Sequence, residues 1–249
     1  MSTSGIFTIM RRELHSYFAT FAAYFIIAVF VFLTAFFFFN YFSNFTRMLY
    51  ERAALSQPVG PSLNLNDYVV ELYYHTLVLL LVFVVPLLAM RSFAEEQRQG
   101  TLELLMTAPI SASQIVLGKY LAALLLVLAM CLVSFIYPGL LIVWGNPPPE
   151  WAPMLSGATG VLLCGAAFMG IAFGLCVFTE KQVVAALSSM AVLLLLYVVF
   201  WPAQSLGGFG EELLKAVSPV WQVSGLIDGV VSLSAGCYFM SLIVLGLYM

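Results

Sequence analysis

Long apolar segments constrain this chain more than any other feature of its sequence. A helix that crosses a bilayer needs about 20 mostly apolar residues, and six segments reach that length or come close to it. They cover residues of about 17–41, 68–90, 115–143, 154–178, 183–201 and 233–249. The sequence therefore predicts an all-α polytopic membrane protein with six transmembrane helices in a single transmembrane domain, residues 1–249.

The composition supports a membrane fold. The chain is 63% hydrophobic and only 8% charged, whereas a soluble domain carries roughly a quarter charged residues. Folding in water would leave too little polar surface to cover the molecule. The nine Lys and Arg residues are too few to favour a nucleic-acid partner. The four cysteines form no C-x-x-C pair and are expected to act as small buried hydrophobes.

The distribution of basic residues predicts the orientation. Lys and Arg collect beside the cytoplasmic ends of membrane spans. With the amino terminus inside, the cytoplasmic set is Arg11, Arg12, Arg91, Arg98, Lys119 and Lys181, and the outer set is Arg47, Arg52 and Lys215. Six spans then place both termini in the cytoplasm. The first apolar run is too long for the core of a signal peptide, so the amino terminus is expected to be retained.

Three connecting segments are predicted to lie outside. Phe42–Asp67 is predicted to be a polar loop, and the three consecutive prolines Pro147–Pro149 within Trp144–Pro153 forbid a continuous helix there. The longest segment is Trp201–Ser232. Residues 210–231 within it are predicted to form short helices that lie at the outer surface or dip back into the membrane.

The most polar run, RSFAEEQRQGTLELLMTAPIS, separates the second and third spans at Arg91–Ser111. Gly100 is a favourable residue just beyond a helix end, so the second helix is predicted to continue through Gln99. Thr101 can cap a new helix, and Glu103 in its first turn suits the positive end of the helix dipole. The pattern thus predicts a break followed by a second, short helix.

That short helix is predicted to be amphipathic and to end before Pro109. Leu102 and Leu105 form part of its apolar stripe. Ser111 and Gln114 then have capping-box spacing at the start of the third span. The run is therefore a helical extension, a break, a two-turn helix and a restart.

Two interpretations fit this polar run: a connector on the inner face of the bilayer, or a docking element for a cytoplasmic partner. The mixed charges of Glu95, Glu96 and Arg98 suit a protein surface better than anionic lipid, which attracts Lys and Arg. The Gly and Pro breaks indicate a rigid shape, so docking is favoured. Just beyond the run, Lys119 is expected to extend to the lipid headgroups.

A second polar cluster lies at the outer end of the second span. Asp67, Glu71 and His75 have i, i+4, i+8 spacing and share a helix face. A solvated rim is the favoured interpretation, with a role in the substrate path or a metal site as the alternatives. Asn40, which follows the aromatic run Phe36–Phe39, is a further candidate for the substrate path, although that run could equally face lipid.

The chain lacks the motifs of an ATPase or a hydrolase. G-x-x-x-x-G-K-[ST], H-E-x-x-H and G-x-S-x-G are all absent. Gly165 and Gly170 have the gap of a phosphate-binding loop, but Ile171 follows them inside an apolar span. The chain is therefore not predicted to be an enzyme, and any ATP hydrolysis must belong to another chain.

The pattern E-E-x-R-x-G-T-L-E-L-L-x-x-A-P-I-S, followed by G-K at Gly118 and Lys119, resembles the permease subunit of ABC-2-type transporters. More narrowly, it is similar to the gliding-motility-type ABC permeases, which are short six-span chains. The resemblance covers nearly the whole chain. It includes R-R-E-L near the amino terminus and the late stretch S-P-V-W-Q-V-S-G-L-I-D-G-V-V.

In that family two permease subunits pair with two ATPase subunits, and the short helix between spans two and three is a coupling helix that enters the ATPase. The resemblance implies this role for residues 91–113. The residues expected to carry coupling are Glu95, Glu96, Gly100, Thr101, Leu102, Glu103, Leu105 and Pro109. The resemblance also implies reentrant outer helices within 210–231.

An interfacial helix before the first span is a further implication of the resemblance. Its apolar face would be Ile6, Met10 and Leu14, with Arg11, Arg12 and Glu13 beside it. The family also implies the bacterial inner membrane, and either a homodimer or pairing with a similar permease. The partner ATPase would use ATP and Mg²⁺, and this chain would bind no cofactor and no metal.

The leading hypothesis is therefore the permease subunit of an ATP-driven ABC-2-type exporter. Membrane lipid and a periplasmic accessory protein are further candidate partners. The alternative is an ATPase-driven membrane protein that passes motion or a signal to a periplasmic partner without transporting a substrate. In that alternative, Trp201–Ser232 would be the partner-binding surface.

Overall fold

The computed structural model describes residues 3–55, 64–99, 112–145, 148–178, 181–205 and 208–248. Over these residues every regular element is helical, which confirms the predicted all-α class. The helices are α1 Thr3–Phe18, α2 Phe21–Ala54, α3 Glu71–Gln99, α4 Ala112–Ser134, α5 Ile136–Trp144, α6 Trp151–Val177, α7 Gln182–Val198, α8 Phe200–Ser205, α9 Phe209–Val217, α10 Pro219–Ile227 and α11 Leu233–Tyr248. A π-helical turn, Asn66–Val70, leads into α3.

Five helical segments of the described chain are long and apolar enough to cross a membrane, by length and composition. They are Phe21–Ala54, Asn66–Arg91, Ser113–Trp144, Trp151–Val177 and Gln182–Pro202. The sixth predicted span corresponds to α11, which is apolar but only 16 residues long. The chain is therefore a multi-pass membrane protein, while the count of six spans stays a prediction.

Helix α2 corrects the predicted outer loop. The prediction for Phe42–Asp67 is wrong over its first part, because α2 continues to Ala54. This continuation, FSNFTRMLYERAA, contains no Pro or Gly. In it Arg47 Nε donates to Glu51 Oε1 at 2.8 Å across one turn, an i, i+4 pair that supports a helix. At 1.5 Å per residue α2 extends about 50 Å, well beyond the roughly 30 Å of a bilayer's hydrocarbon core.

A turn at Phe135 divides the predicted third span into α4 and α5. Pro138 has no N–H, so it cannot donate to the Ser134 carbonyl four residues earlier. The hydroxyl of Tyr73 on α3 donates to that carbonyl instead, at 2.9 Å. The Ser134 carbonyl, left free by the break, is therefore satisfied by a neighbouring helix. In a membrane every buried backbone group needs such a partner.

Helix α6 lies at the centre of the bundle. It contacts α3, α4, α7, α10 and α11, and glycines along it let its neighbours approach closely. A Cβ atom placed on Gly246 of α11 would lie 2.2 Å from the carbonyl carbon of Gly170 on α6. The two backbones therefore touch at this crossing, as glycines at a helix interface permit.

Two short helices, α9 and α10, form within the predicted outer segment. Pro219 begins α10, and Ser218 caps it by accepting a hydrogen bond from the Trp221 backbone N–H at 3.4 Å. Val223 and Ile227 of α10 are buried, and the helix packs against α6. The prediction that these helices lie at the outer surface, or re-enter the membrane, stays a prediction.

Candidate functional site

Helix α1 packs against the beginning of α4. A Cβ atom on Gly118 would lie 2.8 Å from Ile9 Cγ2 and 3.2 Å from the Ile6 carbonyl oxygen. A side chain does not fit in that space, so glycine is what permits the two helices to approach this closely. Met10 and Leu14 of α1 also pack against the hydrophobic core. The predicted apolar face of α1 therefore contacts protein.

An ion pair between Glu13 and Lys119 joins α1 to α4. Lys119 Nζ donates to Glu13 Oε1 at 3.1 Å, and Lys119 is only 1% exposed. A buried ammonium group without a counter-charge is strongly unfavourable, so the Glu13 carboxylate neutralises it. The expectation that Lys119 extends to the lipid headgroups is wrong, because its side chain turns inward to Glu13.

Helix α1 is also bonded to α3. The Tyr17 hydroxyl donates to the Leu88 carbonyl at 3.2 Å, and both residues are buried. Leu88 lies shortly before the predicted coupling region 91–113, and Lys119 lies shortly after it. Helix α1 is therefore bonded to both α3 and α4, the two helices on either side of the coupling region.

The structure describes only the first part of the coupling region. α3 continues to Gln99, as the sequence predicts, and its residues beyond Arg91 add about 12 Å of helix at 1.5 Å per residue. Glu95 and Glu96 lie on this extension, with side chains outside the described part of the molecule. The remaining predicted coupling residues, Gly100, Thr101, Leu102, Glu103, Leu105 and Pro109, lie outside the described residues.

The three charged residues grouped on the amino-terminal helix divide between two faces. Glu13 is buried against α4, whereas Arg11 and Arg12 are exposed. The two arginines line an open surface depression together with His15. A basic face of this kind suits anionic lipid headgroups, but the interfacial position of α1 stays a prediction.

At the other end of α3, Glu71 lines a cavity of about 160 Å³. Three further carboxylates line the same cavity, those of Asp67, Glu150 and Asp228. Sequence reasoning missed Glu150 and Asp228 because they are far from Glu71 along the chain and belong to different helix ends. Their only signal was that each is an isolated acidic residue in an outer segment.

The other predicted substrate-path residues are placed differently. His75 is half-buried one turn along α3 from Glu71 and interacts electrostatically with Asp228. Asn40 lies elsewhere, on the exposed face of α2, where its Oδ1 accepts a hydrogen bond from Asn44 Nδ2 at 3.1 Å. In the described part of the chain, no three His, Cys, Asp or Glu side chains are placed to hold one metal ion.

Comparison with known proteins identifies the family of the chain. A family model described as ABC-2 family transporter protein matches residues 8–222. The match covers most of the chain, including α1 from Thr8 onward and the whole predicted coupling region. No curated protein matches the chain. Members of this family are membrane components that work with a separate ABC ATPase. This chain belongs to the ABC-2 family of transporter proteins and is a permease component of an ABC transporter.

Proposed function

We propose that this chain is the permease subunit of an ATP-driven ABC-2-type exporter, and that residues 91–113 dock into the partner ATPase. The observation that carries the proposal is the attachment of α1 to both α3 and α4, on either side of that region. Tyr17 bonds to Leu88 on α3, and Glu13 pairs with Lys119 on α4. Family membership supports the same assignment.

These contacts suggest how motion of the ATPase would reach the membrane. Closure of the ATPase on ATP would displace the coupling region, and with it the ends of α3 and α4. A loose junction would absorb that displacement within a few residues. Here Gly118 is packed against Ile9, and the buried ion pair lies beside it, so α1, α3 and α4 would move together. Their tilt would then change a path between two permease subunits.

The assembly proposed is two permease chains with two ABC ATPase chains in the bacterial inner membrane, with both termini in the cytoplasm. The second permease is either another copy of this chain or a similar permease, and α2 and α7 expose the apolar residues that it or lipid would cover. ATP and Mg²⁺ would be bound by the ATPase alone. The narrower assignment to gliding-motility-type permeases remains part of this proposal.

The proposal is tested with the full chain co-expressed with the ABC ATPase that co-purifies with it. Glu103→Arg combined with Leu105→Asp is expected to abolish ATPase binding, because it reverses a charge and removes an apolar contact in the docking helix. Glu212→Arg with Leu213→Asp is the matched control, since both residues are exposed on α9. Equal ATPase binding by the coupling variant and the control would refute the proposal.

The alternative function, transmission of motion to a periplasmic partner, has one observation in its favour. Helix α9 leaves Leu213 and Val217 exposed, at 53% and 44%, in the segment predicted to lie outside. Replacing Leu213 and Val217 with Ser, in the chain reconstituted in vesicles, separates the two functions, because it alters only the exposed face of α9 and leaves the buried helix α10 in place. Loss of partner binding while flux of a fluorescent lipid or peptide continues would support export. Absence of flux from the intact complex, with partner binding present, would support transmission.

A further inference from the structure

The cavity that holds Glu71 is formed by three parts of the fold that converge beside the beginning of α3. They are the π-helical turn, the residues that lead into α6, and the end of α10. Its volume is about 160 Å³, which is ample for a small polar group with water, since one water needs roughly 10–15 Å³. The lining residues are Asn64, Asn66, Asp67, Glu71, Glu150, Pro153, Ile227 and Asp228.

The charges that line this cavity all have the same sign. Four carboxylates face it, and none of the described residues that line it is basic. The Glu71 carboxylate is repelled by both Asp228 and Asp67. The neighbouring stretches 56–63 and 146–147 contain no Lys or Arg in the sequence, so they have no counter-charge to supply. The cavity is therefore a local excess of negative charge.

The chain's own cations near this end have other partners or positions. Arg47 is bonded to Glu51 at 2.8 Å and is exposed. Lys215 is paired with Glu211 on α9, and its Nζ also lies 4.3 Å from the centre of the Trp221 ring. Arg52, at the end of α2, is not among the described residues that line the cavity. Among the described residues, no positive charge of the chain is placed to balance the cavity.

Asn66 gives a second and independent indication of a ligand. Asn66 is one of the residues that line the cavity, and it is only 7% exposed. Its Nδ2 donates to the Glu150 carbonyl at 3.5 Å, but within the described part of the chain its buried Oδ1 accepts no hydrogen bond. A buried acceptor without a donor is unfavourable. The cavity thus offers an unused acceptor beside an excess of carboxylates.

We propose that this cavity binds one primary ammonium or guanidinium group. Such a group carries the missing positive charge, and its several N–H donors can bond to Asn66 Oδ1 and to carboxylate oxygens at once. A bare metal ion fits less well, because it needs three or more ligands close together, and the described acidic and His side chains do not provide that arrangement. The inference is independent of the coupling role proposed above.

Two sources could present this chemistry: a soluble amine such as a polyamine, or the ethanolamine headgroup of a membrane lipid. Both carry a primary ammonium with three N–H donors. Choline headgroups and tetramethylammonium have the same charge but no N–H donor. They are therefore matched negative probes for the hydrogen bond to Asn66.

The test is a titration of the purified full chain with spermidine by calorimetry, in an amine-free buffer and a maltoside detergent. Saturable binding is expected, with no competition from tetramethylammonium. Glu71→Gln combined with Asp228→Asn should weaken binding and raise the Kd at least about tenfold. Glu212→Gln, an exposed carboxylate on α9, is the control and should leave the Kd unchanged.

Three results would overturn the proposal: no saturable binding by the unaltered chain, an unchanged Kd in the double variant, or tighter binding of Ca²⁺ that depends on Glu71 and Asp228. If the double variant does not fold, Asp228→Asn alone replaces it, because Asp228 is exposed. Nanodiscs distinguish the sources. Weaker spermidine binding in ethanolamine lipid than in choline lipid assigns the headgroup, and equal binding assigns a soluble amine.

Discussion

The two ends of α3 use acidic side chains in opposite ways. Beside the half of α3 that contains Leu88, α1 brings Glu13 onto Lys119 of α4, and both residues of the pair are buried. At the other end, Glu71 shares an open cavity with carboxylates of the same sign and with no described basic residue. A buried charge is tolerated only with its counter-charge, whereas like charges persist where water or a ligand can reach them. The first end is therefore suited to holding helices together and the second to binding.

The difference also bears on function. A closed pair between α1 and α4 resists separation of the helices, which is what transmission of force from the coupling region would require. An open acidic cavity does not hold helices together in this way. Its negative charge favours the binding of a cation. Removing charge should therefore have opposite effects on stability at the two ends.

The largest effect is expected from Lys119→Glu. The change places two carboxylates together in a buried site, and breaking a buried pair costs about 3–5 kcal/mol. We expect a sharp fall in the yield of monodisperse full chain and in its Tm in detergent. The comparison between the two ends would fail if Lys119→Glu left both quantities unchanged.

The matched control for that variant is the exchange of both charges, Glu13→Lys with Lys119→Glu. The exchange restores opposite signs at the buried site, so most of the lost Tm should return. A double variant no more stable than the single one would show that the site requires this particular arrangement of the two side chains, and that charge alone is not what stabilises it.

A smaller loss is expected from Gly118→Ala. The added Cβ atom would lie 2.8 Å from Ile9 Cγ2, and overpacking of this kind costs about 1–3 kcal/mol. Gly139→Ala is the control, because its added Cβ atom has no neighbour within 4 Å. It should leave Tm unchanged or raise it, since alanine is favoured over glycine in a helix by up to about 1 kcal/mol. Equal Tm values for the two variants would contradict the close packing of α1 on α4.

The positions of the spans could be predicted because bilayer thickness sets the length of an apolar run. The end of α2 could not be predicted in the same way. Polarity after Tyr41 marks the point where the chain leaves the lipid, but a helix ends only where capping or helix-breaking residues interrupt it. Phe42–Ala54 contains no such interruption, so the helix continues. The turn at Phe135 was missed for a related reason, since Pro138 lies within an otherwise uniform apolar segment.

The candidate sites could be predicted only where their residues are neighbours in sequence. Glu71 and His75 were found from their helical spacing. Glu13 and Lys119 are 106 residues apart, and no periodicity connects them. The sequence shows that each charge lies at a helix end near the membrane boundary, where an exposed side chain is the ordinary expectation. Only the packing of α1 on α4 shows that they meet.

The smallest effect, and one of opposite sign, is expected from Asp228→Asn. Removing one carboxylate relieves repulsion on Glu71 without disturbing a packed contact, because Asp228 is exposed. A like-charge pair near the surface is worth about 0.5 kcal/mol, which corresponds to a rise in Tm of roughly 1–2 °C for a chain of this size. The measurement is thermal unfolding in an amine-free buffer, with Glu212→Gln as the control. A fall in Tm would mean that Asp228 is balanced by a positive group within the protein, and the contrast between a paired end and an unbalanced end would no longer hold.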